Sequence, residues 1–156
     1  MNKEENDMGR ILFIGFKGTK NSSGLLVRSL SPRHCLLTNS FEGLRKDIEK
    51  LPVDCDRVYL FGADKNLRDS FRLERMAEKD GIRLTSALDP EKLADQFASS
   101  GILTGISETP TRYLCNEAYW YLLGKYSGNA LLIHIPTMKH LSESWISGTD
   151  RVFQNI

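Results

Sequence analysis

Apolar runs of strand length alternate with amphipathic runs of helix length along most of this chain. ILFIGF (Ile11–Phe16) has the continuous apolar pattern of a buried strand, and the glycine- and serine-rich loop KGTKNSSG follows it. LLVRSL reads as a short helix capped by Ser22 or Ser23. HCLLTNSF predicts a second strand. GLRKDIEKL places Leu44, Ile48 and Leu51 at i, i+4 and i+7, the apolar stripe of a helix that ends before Pro52. DRVYLFG predicts a third strand, and LRDSFRLERMAEKDG is helix-like, with Gly81 as its stop.

The second half repeats the alternation. IRLTSAL reads as a strand, and Asp89 with Pro90 makes an N-cap followed by proline at the first helical position, opening a helix that runs to Gly101. ILTGIS is a strand, TRYLCNEAYWYLLGKY a helix and ALLIHIP the last strand. After Pro136 the pattern is ambiguous, with SESWISG fitting one helical turn or more. Short apolar strands separated by helices predict an α/β fold, a three-layer sandwich whose central sheet is mostly parallel and flanked by helices, in the phosphorylase/hydrolase style. No internal repeat or interdomain linker interrupts residues 11–156, which are expected to form a single α/β hydrolase-like domain. The polar, charged start, residues 1–10, is expected to be a disordered lead-in without the apolar region of a secretory signal.

Composition works mainly by exclusion. A net charge of +1, from 21 basic and 20 acidic residues, supplies no field that would draw the chain to nucleic acid or an anionic membrane. The apolar runs are too short to cross a bilayer. Three cysteines, at 35, 55 and 115, form neither an even disulfide framework nor a CxxC pair, which fits a reducing, cytoplasmic location. His34, Cys35, Cys55 and His140 lack metal-ligand spacing, so no metal or other cofactor is expected. Homo-oligomerisation stays open.

Open α/β sheets bind ligands beyond the carboxyl ends of their strands. His134 lies near the end of the last predicted strand, and Cys115 lies near the start of the preceding helix. A thiol there meets unpaired backbone N–H groups and the positive end of the helix dipole, which favour thiolate and could hold an oxyanion. The same cysteine could equally be a small buried hydrophobe, and the same histidine a hydrogen-bonded core residue. Glu74 could orient the imidazole, or sit with Arg75 on a solvated helix face. The KGTKNSSG loop fits neither GxxxxGK[ST] nor GxGxxG, so it reads as a strand-to-helix turn rather than a phosphate cradle. Most of the aromatic set Tyr113, Tyr119, Trp120 and Tyr121 reads as core and helix surface, but Tyr113 stands two residues before Cys115.

Those residues suggest a family. ISETPTRYLCNEAYWYLL followed by ALLIHIP resembles the pyroglutamyl peptidase I (pyrrolidone carboxyl peptidase) cysteine peptidases, in which Cys-Asn and Ile-His-Val-Pro-like motifs carry the nucleophile and its base. LERMA resembles the family's Pro-Glu-Arg-Val-Ala-like stretch around its catalytic glutamate, and ILFIGFKGTKNSS resembles its opening segment. The resemblance runs with gaps from about Ile11 to about Leu141. It implies a Cys115–His134–Glu74 triad acting on a peptide or small amide substrate. It also implies a substrate pocket containing Phe16 and Tyr113, with Arg83 matching an arginine that polarises the reacting carbonyl. The sequence departs from the pattern in three places. The first loop lacks the family's second aromatic, GADKNLRDSF replaces a glycine-rich segment, and DGIRLTSAL passes almost directly into the next helix where a long loop is expected.

Overall fold

The computed structural model describes residues 10–30 and 33–156. Of the expected lead-in over residues 1–10, only Arg10 therefore falls within the described residues. Its guanidinium pairs with Asp54 at 2.8 Å, and its backbone N–H donates to Asp56.

Eight strands occur among these residues: β1 (Ile11–Phe16), β2 (His34–Leu37), β3 (Arg57–Ala63), β4 (Phe71–Glu74), β5 (Met76–Lys79), β6 (Ile82–Thr85), β7 (Thr104–Ser107) and β8 (Ala130–Ile135). Five helices accompany them: α1 (Ser22–Leu30), α2 (Phe41–Glu49), α3 (Pro90–Ser99), α4 (Tyr113–Lys125) and α5 (Glu143–Gln154). Six strands make one sheet in the order β2-β1-β3-β8-β4-β7, and β5 and β6 form a separate hairpin. The sheet is mostly parallel, with one antiparallel pairing between β4 and β8.

Strand alternation divides the core between the two faces. Tyr59, Phe61, Phe71, Leu73, Leu131 and Ile133 face the layer containing α1, α3 and α5. Val58, Leu60, Ala130 and Leu132 face the layer containing α2 and α4. The expected three-layer α/β sandwich is thus the observed one.

The helix read over LRDSFRLERMAEKDG does not form. Its residues make β4 and β5, and Asp80-Gly81 turns the chain into β6 with φ of 51° and 78°. Two successive positive φ values are those of a type I′ hairpin turn, for which Asp-Gly is a favoured pair. Glu, Arg, Met, Ala and Lys are good helix formers, but tertiary burial overrides that preference here. Phe71 and Leu73 are fully buried, and Phe71 meets Phe97 and Trp145 edge-on at ring-centroid distances of 5.4 and 5.5 Å. A helix would turn these two side chains in different directions, whereas a strand sends both into one layer. The strand expected from IRLTSAL forms as β6, but it pairs with β5 and not with the main sheet.

Ser22 and Ser23 lie inside α1 and do not cap it. The Asn21 side chain accepts from the Ser23 backbone N–H, leaving Ser22 Oγ to donate to the Pro136 carbonyl and Ser23 Oγ to accept from the Phe16 N–H. A Cβ on Gly24 would stand 2.6 Å from the Phe16 carbonyl oxygen, so glycine is needed here for close strand–helix approach. The ambiguous tail becomes α5, capped by Ser142, whose side chain accepts from the Trp145 N–H. Asp89 caps α3 as its sequence suggests.

Candidate active site

Parallel register sets Gly62 of β3 beside His134 of β8, and antiparallel register sets Arg72 of β4 directly opposite His134 on its other side. Side chains two residues apart on a strand share a face, so Arg72 and Glu74 both point to the layer that contains α4. Cys115 comes down onto this face from the first turn of α4. A Cβ built on Gly62 would lie 2.6 Å from Cys115 Sγ and 3.4 Å from His134 Nε2. Sulfur and imidazole therefore crowd the same point above a glycine, although 19 positions separate them in sequence.

Behind the imidazole lies a charged network. His134 Nδ1 is 3.5 Å from Glu74 Oε2, and both groups are almost fully buried. Arg72 Nε donates to the same Glu74 oxygen at 2.7 Å. Arg72 Nη2 donates to Asp64 at 2.8 Å and reaches His134 Nδ1 at 3.2 Å. Burial pushes the Asp64 carboxyl up, but the Asn66 amide and the Arg72 guanidinium outweigh it and hold the group below the usual carboxylate range. The Tyr119 hydroxyl donates to the Glu74 carbonyl at 2.7 Å, which ties the end of β4 to α4.

Asn116 fixes the start of α4 from the opposite side. Its amide nitrogen donates to the Glu78 carbonyl, and its amide oxygen accepts from the Glu78 N–H, so the residue after Cys115 is bonded to β5 like an added strand residue. Tyr113 opens the helix with φ of 64°. That left-handed conformation costs a residue with a Cβ about 1–2 kcal/mol. The side chain it aims is 78% exposed and lines the mouth of the cleft. The cleft has a volume of about 430 Å³, and its walls include Asp64, Lys65, Arg112, Tyr113, Cys115 and His134.

The helix terminus favours thiolate, but burial acts more strongly. Burial pushes the Cys115 thiol up to about 12, the Asp64 and Glu74 carboxylates add to the rise, and Arg72 opposes it. Below such a value the thiolate fraction grows tenfold per pH unit. Iodoacetamide labelling of Cys115 is therefore expected to climb steadily from neutral pH to about pH 10 without a plateau. A plateau near the free-thiol value of about 8.5 would show that the sulfur is not held in the buried position.

Of the residues read from sequence, Cys115, His134 and Glu74 come together, and Tyr113 stands at the same cleft. Phe16 and Arg83 are placed elsewhere. Phe16 is buried in the core at the end of β1, and the Arg83 guanidinium donates to Glu78 on the exposed β5–β6 hairpin. Neither lines the cleft. Sequence reasoning missed Arg72, Asp64 and Gly62. Arg72 had a signal: two residues before Glu74, it shares a face with it once the segment is read as a strand. Among the described residues, no group of three or more His, Cys, Asp and Glu side chains is placed to hold a metal, and no helix is long and apolar enough to cross a membrane.

No family model matches the chain, and no curated protein matches it. Solved structures do. The pyrrolidone carboxyl peptidase from Thermococcus litoralis superimposes with a TM-score of 0.77 at 16% identity, covering 94% of this chain and 92% of that one. The pyrrolidone carboxyl peptidase from Thermus thermophilus gives 0.75 at 19% identity, covering 92% and 97%. The pyroglutamyl peptidase I from Bacillus amyloliquefaciens gives 0.72 at 16% identity, covering 94% and 91%. This chain has the fold of those peptidases over nearly its whole length.

Proposed function

We propose that this chain is a cysteine hydrolase that cleaves an amide bond at a blocked or cyclised N-terminus, of the pyroglutamyl type, with Cys115, His134 and Glu74 as its working groups. The observation that carries the reading is the convergence of Cys115 Sγ and His134 Nε2 above Gly62, with the Glu74 carboxylate behind the ring. The fold shared with pyrrolidone carboxyl peptidases supports it. Three free thiols, Cys35, Cys55 and Cys115, suit a reducing, cytoplasmic setting.

In this reading Cys115 Sγ attacks the carbonyl carbon while its proton passes to His134 Nε2. His134 returns that proton to the leaving amine as the carbon–nitrogen bond breaks, leaving a thioester. Water attacks the thioester, giving a proton to His134, and the sulfur leaves and recovers it. Glu74 orients the ring through Nδ1. The backbone N–H of Cys115, in the first turn of α4, is the donor assigned to the oxyanion. Arg83 can join it only by leaving Glu78. Tyr113, exposed at the mouth, is assigned the substrate face.

The test is a chromogenic pyroglutamyl amide, quenched in acid during turnover and digested for mass spectrometry. Release of the chromophore and an acyl adduct on the Cys115 peptide are expected. Absence of both eliminates the pyroglutamyl assignment. A second reading, a catalytically silent ligand-binding or assembly module on the same fold, is favoured by one observation: Cys115 packs against the core on the face that carries the Asp64 and Glu74 carboxylates, surroundings that push its thiol up. It predicts no acyl adduct with any activated amide.

A further inference from the structure

The third charged residue in the network does something that a Cys-His-Glu arrangement does not require. Guanidinium is a donor with no acceptor, and it stays charged in proteins. Arg72 Nη2 reaches His134 Nδ1 at 3.2 Å, so the bond forms only if Nδ1 presents its lone pair. A neutral imidazole whose Nδ1 accepts carries its proton on Nε2. Nε2 is the nitrogen that shares the space above Gly62 with Cys115 Sγ. With that bond made, the nitrogen meant to take the thiol proton is already occupied.

We propose that Arg72 is a positioning residue that holds His134 as the Nε2–H tautomer, keeping the Cys115–His134 pair off-line until the guanidinium releases Nδ1. The inference rests on the hydrolase reading of the same site. The backbone builds in the placement, since Arg72 is the residue directly opposite His134 in the β4–β8 register. Asp64 and Glu74 anchor the guanidinium from two sides at 2.8 and 2.7 Å. With its Oε2 bonded to Arg72, Glu74 stands at 3.5 Å from Nδ1, longer than a good hydrogen bond. The charged and titratable groups around the ring are Asp64 after β3, Arg72 and Glu74 on β4, the Cys115 thiol on α4, and Lys65 and Arg112 in the cleft wall.

Release reverses the arrangement. Without a donor at Nδ1, the ring turns an N–H toward Glu74, and either Nε2 becomes free to accept from sulfur or the ring becomes imidazolium. The direct field of Arg72 on the thiol works the other way, but the guanidinium sits on the far, Nδ1 side of the ring, whereas Nε2 faces the space above Gly62 that the sulfur also enters. The imidazole effect therefore wins. The Cys115 labelling rate at neutral pH is expected to rise by about tenfold or more in Arg72→Met, the effect of a one-unit fall in thiol pKa.

The decisive measurement is the nitrogen chemical shifts of the His134 ring in two-bond proton–nitrogen correlation spectra. Wild type is expected to show a protonated Nε2 and a bare, pyridine-like Nδ1. Arg72→Met is expected to gain a proton on Nδ1. A wild-type ring protonated on Nδ1, or a folded Arg72→Met protein with unchanged ring shifts, overturns the proposal. If Arg72→Met does not fold, the wild-type spectrum still decides. None of this depends on a substrate. If the wild-type tautomer is as proposed but no variant turns over an amide, the hydrolase reading fails and the role of Arg72 stands.

Discussion

Gly62→Ala is expected to leave the protein folded and to lower amide turnover by about a hundredfold, the scale of a 1 Å misplacement of reacting groups. The added Cβ would lie 2.6 Å from Cys115 Sγ and 3.3 Å from His134 Cδ2. Something must move, and the sulfur is the freest atom at that point, since one χ1 rotation carries it away. Gly62 itself cannot easily retreat, because its strand is central in the sheet and it is paired there with His134 of β8. The cost to stability is the ordinary cost of overpacking, about 1–3 kcal/mol. It should shrink when Cys115→Ala removes the sulfur, giving a coupling that a double-mutant cycle can read. Far-UV circular dichroism checks the fold, and turnover reports the displaced sulfur. Wild-type turnover in Gly62→Ala would show that the working sulfur does not sit above that glycine.

Glu74→Ala is expected to cost about 3 kcal/mol of folding stability, toward the lower end of what breaking a buried ion pair costs. The carboxylate side chain is 2% exposed, and its bond to Arg72 Nε is 2.7 Å, so its loss strands a guanidinium that is only partly in water. Asp64 still holds Nη2 at 2.8 Å, which keeps the loss from reaching the top of that range. For a chain of this size 3 kcal/mol corresponds to roughly 6–12 °C in melting temperature. Glu74→Gln keeps an acceptor for Arg72 and should lose about half as much, because it gives up the charge and keeps a hydrogen bond. Urea titration reads both as a lower midpoint at constant slope. A loss below about 1 kcal/mol for Glu74→Ala would place this pair among exposed ion pairs, which contribute that little.

Much of the architecture is legible from local pattern. Continuous apolar runs such as VYLF and ALLI, short and bounded by polar or turn residues, read as strands buried on both faces, and Asp89-Pro90 is a self-contained helix start. The β4–β5 segment is not legible in this way. LRDSFRLERMAEKDG is rich in helix formers, and only the pocket offered by Phe97 and Trp145 selects the strand. Tertiary burial outweighs a propensity difference of a few tenths of a kcal/mol per residue. The tail after Pro136 is ambiguous for the same reason. Val152 and Phe153 become recognisable as a helix face only because they pack on the layer that holds Phe13 and Tyr59.

The sequence by itself determined the α/β alternation, the sheet-edge placement of Cys115 and His134, and the resemblance that singles out Glu74. Those are properties of residue type, order and spacing. The tertiary structure alone decided that β4 runs antiparallel to β8. That direction sets Arg72 opposite His134 and brings the guanidinium against both the imidazole and the Glu74 carboxylate. Strand direction and register depend on pairings between residues 62 positions apart, which no local pattern encodes. The candidate triad can thus be read along the chain, while the arginine that reaches its histidine becomes visible only across the sheet.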